Sequence, residues 1–242
     1  MGASKSKITP SPIMEKIAAG LIPAVAATVA TNPIRIFSLD GNIGVGKSTL
    51  LKEIAKQFPE ILIIQEPVDV WTALKNSDGQ NLLELFYKDK HRYAYTFQNA
   101  AILSRLKLLK DAVAAARPGQ IILTERSVLT DRCVFAEMLK DQGFLNGIEW
   151  QLYTTWFDTF ATDLPMAGIV YIANRCETAY ERIQKRNRSE ENTIAMSYLT
   201  ELETQHTKWL SQTPLPVLRI STEADTNLQE TLTKLGKFLK AH

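Results

Sequence analysis

An α/β fold, with a five-stranded parallel sheet covered by helices on both faces, is predicted by three features of the 242-residue chain. Five short, β-branched apolar runs alternate with longer segments of helical periodicity. A glycine-rich turn joins the first run to the first helical segment. No internal repeat and no long spacer interrupts the chain after residue 34. Strands separated by helices run parallel, and each face of such a sheet needs its own helical layer. The expected organisation is one three-layer domain over 34–242, preceded by an extension over 1–33.

The strands are expected at 34–39, 61–65, 120–124, 168–172 and 216–220, each bounded by Gly, Pro or charged residues. Among the intervening segments, 82–116 and 177–188 carry helical periodicity. The extension differs in composition. Residues 1–12 are rich in Ser, Lys and Pro and read as disordered, and 17–30 is an Ala/Val-rich run broken by Gly20 and Pro23. That run is shorter than the roughly 20 residues a bilayer span requires.

Gly2 and Ser6, with three free positions between them and Lys5 and Lys7 alongside, match an N-myristoylation acceptor. One acyl chain binds membranes only marginally, so weak membrane association is one reading of this end and a plain disordered extension the other. Only Lys5, Lys7 and Lys16 precede Arg35, so the arginines of a mitochondrial leader are missing. The two cysteines, Cys133 and Cys176, stand far apart, which fits a reducing cytoplasmic compartment and argues against structural zinc. A formal net charge of +2 gives no electrostatic footprint for nucleic acid.

The first strand runs into Asp40 and then Gly41, Asn42, Ile43, Gly44, Val45, Gly46, Lys47, Ser48 and Thr49, followed by a helical segment. The spacing G-x-x-x-x-G-K-[ST] between a strand and a helix is that of a phosphate-binding loop. Glycines let backbone N–H groups converge on phosphate oxygens, and the helix N-terminus adds partial positive charge. Lys47 is expected on the β- and γ-phosphates of ATP or another nucleoside triphosphate, with Ser48 on Mg²⁺. The loop says nothing about the acceptor.

The acceptor is read from the next two strand ends, which face the crevice where α/β sheets bind ligands. Glu66 follows the second strand. A neutral hydroxyl must lose its proton during phosphoryl transfer, so Glu66 is expected as a general base, the alternative being a plain ion pair. Glu125 and Arg126 close the third strand. Glu125 is expected at the Mg²⁺ site, and Arg126 beside the acceptor hydroxyl and its developing charge. Tyr87, Gln98 and Arg105 are spaced by 11 and 7 residues, one helix face if Tyr87 belongs to the same or an aligned helix. Gln98 has the planar donor–acceptor pair that reads a base edge. Trp71, Phe97 and Phe135 offer stacking faces.

Together these residues resemble the deoxynucleoside kinase family, of the deoxycytidine and deoxyguanosine kinase type. The resemblance rests on 41–49, Glu66 with Trp71, Tyr87, Thr96 to Gln98 with Ser104 and Arg105, Glu125 to Ser127 with Asp131, and Arg182, Arg186, Arg188 and Glu191. It implies a three-layer P-loop kinase fold and ATP-dependent, Mg²⁺-assisted 5′-phosphorylation of a deoxynucleoside in nucleotide salvage. Glu66 would be the base, with Arg126 at the 5′-oxygen. Tyr87 and Glu191 would grip the 3′-hydroxyl, and Gln98 would face the base.

The resemblance also implies an arginine-rich lid at about 182–192, in which Arg182, Arg186 and Arg188 close over the phosphates, and a homodimer. Arg105 and Asp131 would form a charged pair around the base, favouring cytosine, adenine or guanine over thymine, with Leu83 and Phe86 shaping the pocket. Two competing readings share the phosphate loop, though the first would need extra cations at the acceptor end in place of Glu66. One is a nucleoside-monophosphate kinase such as thymidylate kinase, and the other a catalytically inert subunit of this fold.

Overall fold

The protein is described by a computed structural model over residues 33–191 and 194–242. The readings of acylation and membrane association fall on residues 1–32, outside the described residues.

Five strands form one parallel sheet: β1 (Arg35–Gly41), β2 (Leu62–Ile64), β3 (Ile121–Glu125), β4 (Met166–Ile172) and β5 (Val217–Ile220), in the order β2-β3-β1-β4-β5. Each lies within two residues of its predicted run. Alternation along β1 divides the core. Phe37 and Leu39 face α1 (Lys47–Gln57), α8 (Cys176–Arg186), α9 (Met196–Gln212) and α10 (Leu228–Ala241). Ile36 faces α3 (Leu82–Lys88), α4 (Lys90–Ala115) and α7 (Gly147–Phe160). Because successive side chains of a strand point to opposite faces, this one central strand anchors both helical layers.

The remaining elements lie at the C-terminal edge of the sheet. A short α2 (Val68–Ala73) follows β2. After β3 come a helical turn, α5 (Val128–Thr130), a π-helical segment (Asp131–Ala136) and α6 (Glu137–Asp141). The expected single helix over 82–116 is two. Asp89 leaves helical geometry (φ −143°, ψ 85°), ending α3, and its carboxylate accepts the Arg92 N–H to start α4. Periodicity survives the break because the apolar faces of α3 and α4 pack into the same cluster. Arg186 ends α8 because Asn187 turns left-handed (φ 46°).

From β1 the chain moves toward the β3–β2 side, and from β3 it crosses to β4. The crevice between the C-terminal ends of β1 and β3 is therefore the topological switch point where such sheets take ligands. The turn after β1 holds Gly44 at φ +80°, where a Cβ would lie 2.4 Å from the Ala179 carbonyl oxygen. Gly44→Ala is expected to lower the unfolding free energy by about 1–3 kcal/mol or more. Denaturant melts measure this, and an unchanged midpoint would refute the close approach of α8.

Candidate active site

One cavity of about 1010 Å³ opens at the switch point. Its lining includes Gly44, Gly46, Lys47, Ser48 and Thr49 of the loop, Leu83, Phe86, Tyr87 and Gln98, and the charged Glu66, Glu125, Arg126 and Asp131. The loop folds over the start of α1 as its glycines permit: Gly41, Gly44 and Gly46 all have positive φ (145°, 80° and 94°). Lys47 Nζ donates to the carbonyls of Gly41 (3.2 Å) and Asn42 (2.7 Å), which braces the loop. Burial, and next the nearby Arg126, hold the Lys47 ammonium down at about 7 despite Glu125 and Glu66. A triphosphate would restore its charge.

Ser48 Oγ donates to the Glu125 carboxylate at 3.0 and 3.1 Å. A hydroxyl and a carboxylate at the mouth of a phosphate loop are hard oxygen donors that suit Mg²⁺, which takes few protein ligands and completes its shell with phosphates and water.

Glu66 sits between two guanidiniums. Arg126 Nη1 lies 2.6 and 2.8 Å from its two oxygens, and Arg105 Nη2 is 3.1 Å from Oε1. Burial alone would raise the Glu66 carboxyl, but Arg126, Arg105 and Lys47 outweigh it and hold the group at about 2. Arg126 adopts φ 59°, a left-handed conformation unusual for a side chain with a Cβ. Its N–H reaches the Leu39 carbonyl (3.0 Å), its Nη2 approaches the Gly41 carbonyl (3.4 Å), and its guanidinium lies 5.0 Å from the Phe135 ring centre.

Arg105 is 1% exposed and fully engaged: Nε to Asp131 Oδ2 (2.8 Å), Nη1 to the Glu125 carbonyl (2.6 Å) and Nη2 to Glu66. Gln98, also in the lining, is 1% exposed, and its Oε1 has no hydrogen-bond partner among the described residues. A buried amide oxygen left unsatisfied beside a cavity marks a place for a ligand donor.

The model of the deoxynucleoside kinase family matches residues 37–240. The chain belongs to the deoxynucleoside kinase family. It is 38% identical over 196 residues to a probable deoxycytidine kinase of fowlpox virus, covering 78% of this chain and 79% of the relative. It is 33% identical over 220 residues to the mitochondrial deoxyguanosine kinase of Xenopus laevis (79% and 83% covered). It is 32% identical over 212 residues to the deoxycytidine kinase of Homo sapiens (78% and 80% covered). The chain is thus a phosphotransferase, and the α/β fold with its parallel sheet is that of the family.

In this deoxynucleoside kinase most of the sequence-predicted residues converge on the cavity, and some do so differently from expectation. Asn42 and Val45 point away from it. The Asn42 amide donates to the Leu199 carbonyl (2.8 Å) and accepts the Ile43 N–H, while the Val45 side chain is fully buried in the core. Arg105 lies behind the cavity wall, not in it, so Asp131 alone of that pair lines the cavity. Tyr87 belongs to α3, and Gln98 and Arg105 to α4, so the three do not share one helix, although Tyr87 and Gln98 line the same cavity. Phe97 stacks on Phe86 (centroids 4.4 Å apart) and meets Trp71 edge-on (5.2 Å).

The lid arginines are also differently employed. Arg186 and Arg188 both pair with Glu191 (3.1 Å for Arg188), and Arg182 is bonded to Val45 and Thr222. Two residues escaped sequence reasoning. Tyr198, on α9, lines the cavity edge-on to Tyr87, and its buried hydroxyl has no partner among the described residues. Thr222 lies outside every motif. Only the meeting of distant elements could reveal either.

The depressed Glu66 carboxyl gives a signed prediction. A fold that favours the ionised form gains stability fully present above the ordinary value of 4.5 and lost as pH falls toward about 2. The stability difference between the wild-type chain and Glu66→Gln should therefore be largest above pH 4.5 and shrink on acidification. Urea melts of both proteins between pH 3 and 7 test this, and a difference independent of pH would contradict it.

Proposed function

We propose that this deoxynucleoside kinase transfers the γ-phosphoryl group of ATP to the 5′-hydroxyl of a deoxynucleoside bearing cytosine, adenine or guanine, in nucleotide salvage. The observation that carries this reading is that an ionised Glu66 shares one cavity with a phosphate loop and an unsatisfied Gln98. The names of the fowlpox, Xenopus and human relatives, which specify deoxycytidine and deoxyguanosine, support the same acceptors.

The 5′-oxygen attacks the γ-phosphorus, the bond to the β–γ bridging oxygen breaks, ADP leaves, and the hydroxyl proton passes to Glu66. A carboxylate between two guanidiniums is a weak base. Arg126, drawn toward the transferring phosphoryl group, loosens its hold on Glu66 and raises the proton affinity of Glu66 as the hydroxyl ionises. Mg²⁺ held at Ser48 and Glu125 would offset charge on the triphosphate. Lys47 meets the β- and γ-phosphates. Arg186 and Arg188 join them on leaving Glu191, which then receives the 3′-hydroxyl with Tyr87.

Gln98 reads the base edge, among Phe97, Phe86, Leu83 and Trp71. Arg105 holds only Oδ2 of Asp131, and the other oxygen is left for an exocyclic amino group of the base. Thymine has no such group.

A homodimer is also proposed. Along α7, Ile148, Leu152, Trp156 and Phe160 recur every fourth residue and are exposed, Ile148 by 72%, and Leu103 of α4 is exposed as well. An apolar stripe of this kind favours a second copy over water. Trp156→Glu should shift the mass measured by light scattering from two chains to one, and a single-chain wild type would refute the dimer.

A substrate panel tests the activity: purified protein, Mg·ATP, four deoxynucleosides and their monophosphates. Deoxycytidine, deoxyadenosine or deoxyguanosine should be phosphorylated in preference to thymidine, and Glu66→Gln should lose at least about 100-fold in kcat, as expected for a removed general base. Turnover of monophosphates alone would overturn the acceptor, and unchanged turnover in Glu66→Gln would remove Glu66 from the mechanism.

A further inference from the structure

A phosphate loop works by aiming backbone N–H groups at its ligand. Each peptide unit then sends its carbonyl oxygen the opposite way, where it needs a donor if buried. In this loop the Gly41 and Asn42 carbonyls take Lys47 Nζ. The Val45 carbonyl belongs to the peptide that carries the Gly46 N–H, the last glycine N–H before Lys47. Gly46 itself, at φ +94°, has a backbone able to occupy several orientations. What fixes that peptide plane comes from the far side of the sheet. Thr222, just after β5, places Oγ1 2.6 Å from the Val45 oxygen, and Arg182 Nη1 lies 3.2 Å from it.

The direction of the Thr222 bond is forced. Its Oγ1 also lies 2.8 Å from Asn174 Nδ2 and 3.2 Å from Arg182 Nη1, and both are donors without acceptor capacity. The orientation of the Asn174 amide is itself set, because its Oδ1 accepts the Thr222 backbone N–H at 2.9 Å. A hydroxyl has two acceptor sites and one proton. With both acceptor sites filled, the proton goes to Val45. Arg182 is held in turn by a bond from Nη2 to the Thr222 carbonyl (2.6 Å). Thr222 does not line the cavity, so it acts on the ligand only through the loop.

We propose that Thr222 is a positioning residue for the phosphate donor, locking the Val45–Gly46 peptide with its N–H toward the phosphates. Asn174 and Arg182 dictate which way its hydroxyl points. Arg182 thereby serves the loop from behind in addition to its place on the cavity wall. The inference rests on the reading of residues 41–49 as the ATP site.

The test compares Thr222→Val, which keeps the shape and removes the hydroxyl, with Thr222→Ser, which keeps the hydroxyl. Calorimetric titration with ATP, the amide signal of Gly46 in ¹⁵N-labelled protein, and the KM for ATP and for deoxynucleoside are measured alongside the melting temperature without ligand. Arg182 still serves the Val45 oxygen in Thr222→Val, so the loop itself loses one neutral hydrogen bond, while Asn174 Nδ2 and Arg182 Nη1 each lose an acceptor behind it. ATP binding should weaken about 3- to 10-fold, as such a bond is worth. The KM for ATP should rise in step, the deoxynucleoside KM should stay, and the Gly46 amide should shift. Thr222→Ser should behave as wild type.

Wild-type ATP affinity in Thr222→Val would overturn the proposal and leave the ATP site standing. So would equal losses in both variants, or a loss explained by a lowered melting temperature. Failure of the wild-type chain to bind ATP would overturn the reading of residues 41–49 and this inference with it.

Discussion

The site is organised around one carboxylate held by two guanidiniums. Glu66 stands just beyond β2, Arg126 just beyond β3 and Arg105 on α4, so their ion pairs join two strand ends to the helix above them. Asp131 extends the cluster into the π-helical segment, a distortion that recurs at functional sites. Taking an ion out of water costs several kcal/mol even after relaxation, and only close partners offset it. Each of these groups has at least one, and all three nitrogens of Arg105 are engaged, two by carboxylates of the cluster and one by the Glu125 backbone carbonyl. Burial pushes the Asp131 carboxyl up, against the pull of Arg105. A cluster so arranged is a modest source of stability and a strict source of geometry.

The same economy of donors shapes the phosphate loop. Its carbonyl face is engaged by Lys47, Arg126, Arg182 and Thr222. Backbone strain appears where the two systems meet. Arg126 takes a left-handed conformation while its own N–H bonds to Leu39 of β1, and this turns its side chain onto Glu66. Such a conformation costs on the order of 1–3 kcal/mol and persists only where surrounding contacts require it. Glu191 links the residues proposed for the donor with those proposed for the acceptor. It pairs with Arg186 and Arg188, the cations expected on the donor phosphates, and also stands at the cavity beside Tyr87.

The fold was legible because its signals are local. The apolar runs that became β1 to β5 owe their placement to β-branched composition and flanking breakers, and glycine spacing marks the turn after β1 whatever surrounds it. The helix pair α3 and α4 was read as one because Asp89 breaks the backbone without breaking the apolar pattern. Ser48 and Glu125 meet as expected, since each is tied to the end of an adjacent strand in known register: Leu39 pairs with Glu125 across β1 and β3.

By itself, then, the sequence determined the sheet, the phosphate loop and the set of residues gathered at its C-terminal edge. Hydrophobic period and turn chemistry act over a few residues and can be read there. Tertiary structure alone decided how those residues divide their hydrogen bonds. Arg105 became a buried brace, paired with Asp131 as expected, because three acceptors from distant segments converge on one guanidinium. Asn42 turned to Leu199, and Thr222 entered the site although 177 positions separate it from Val45. A side chain's identity gives its donors and acceptors, but their partners depend on which elements the fold brings within 3 Å.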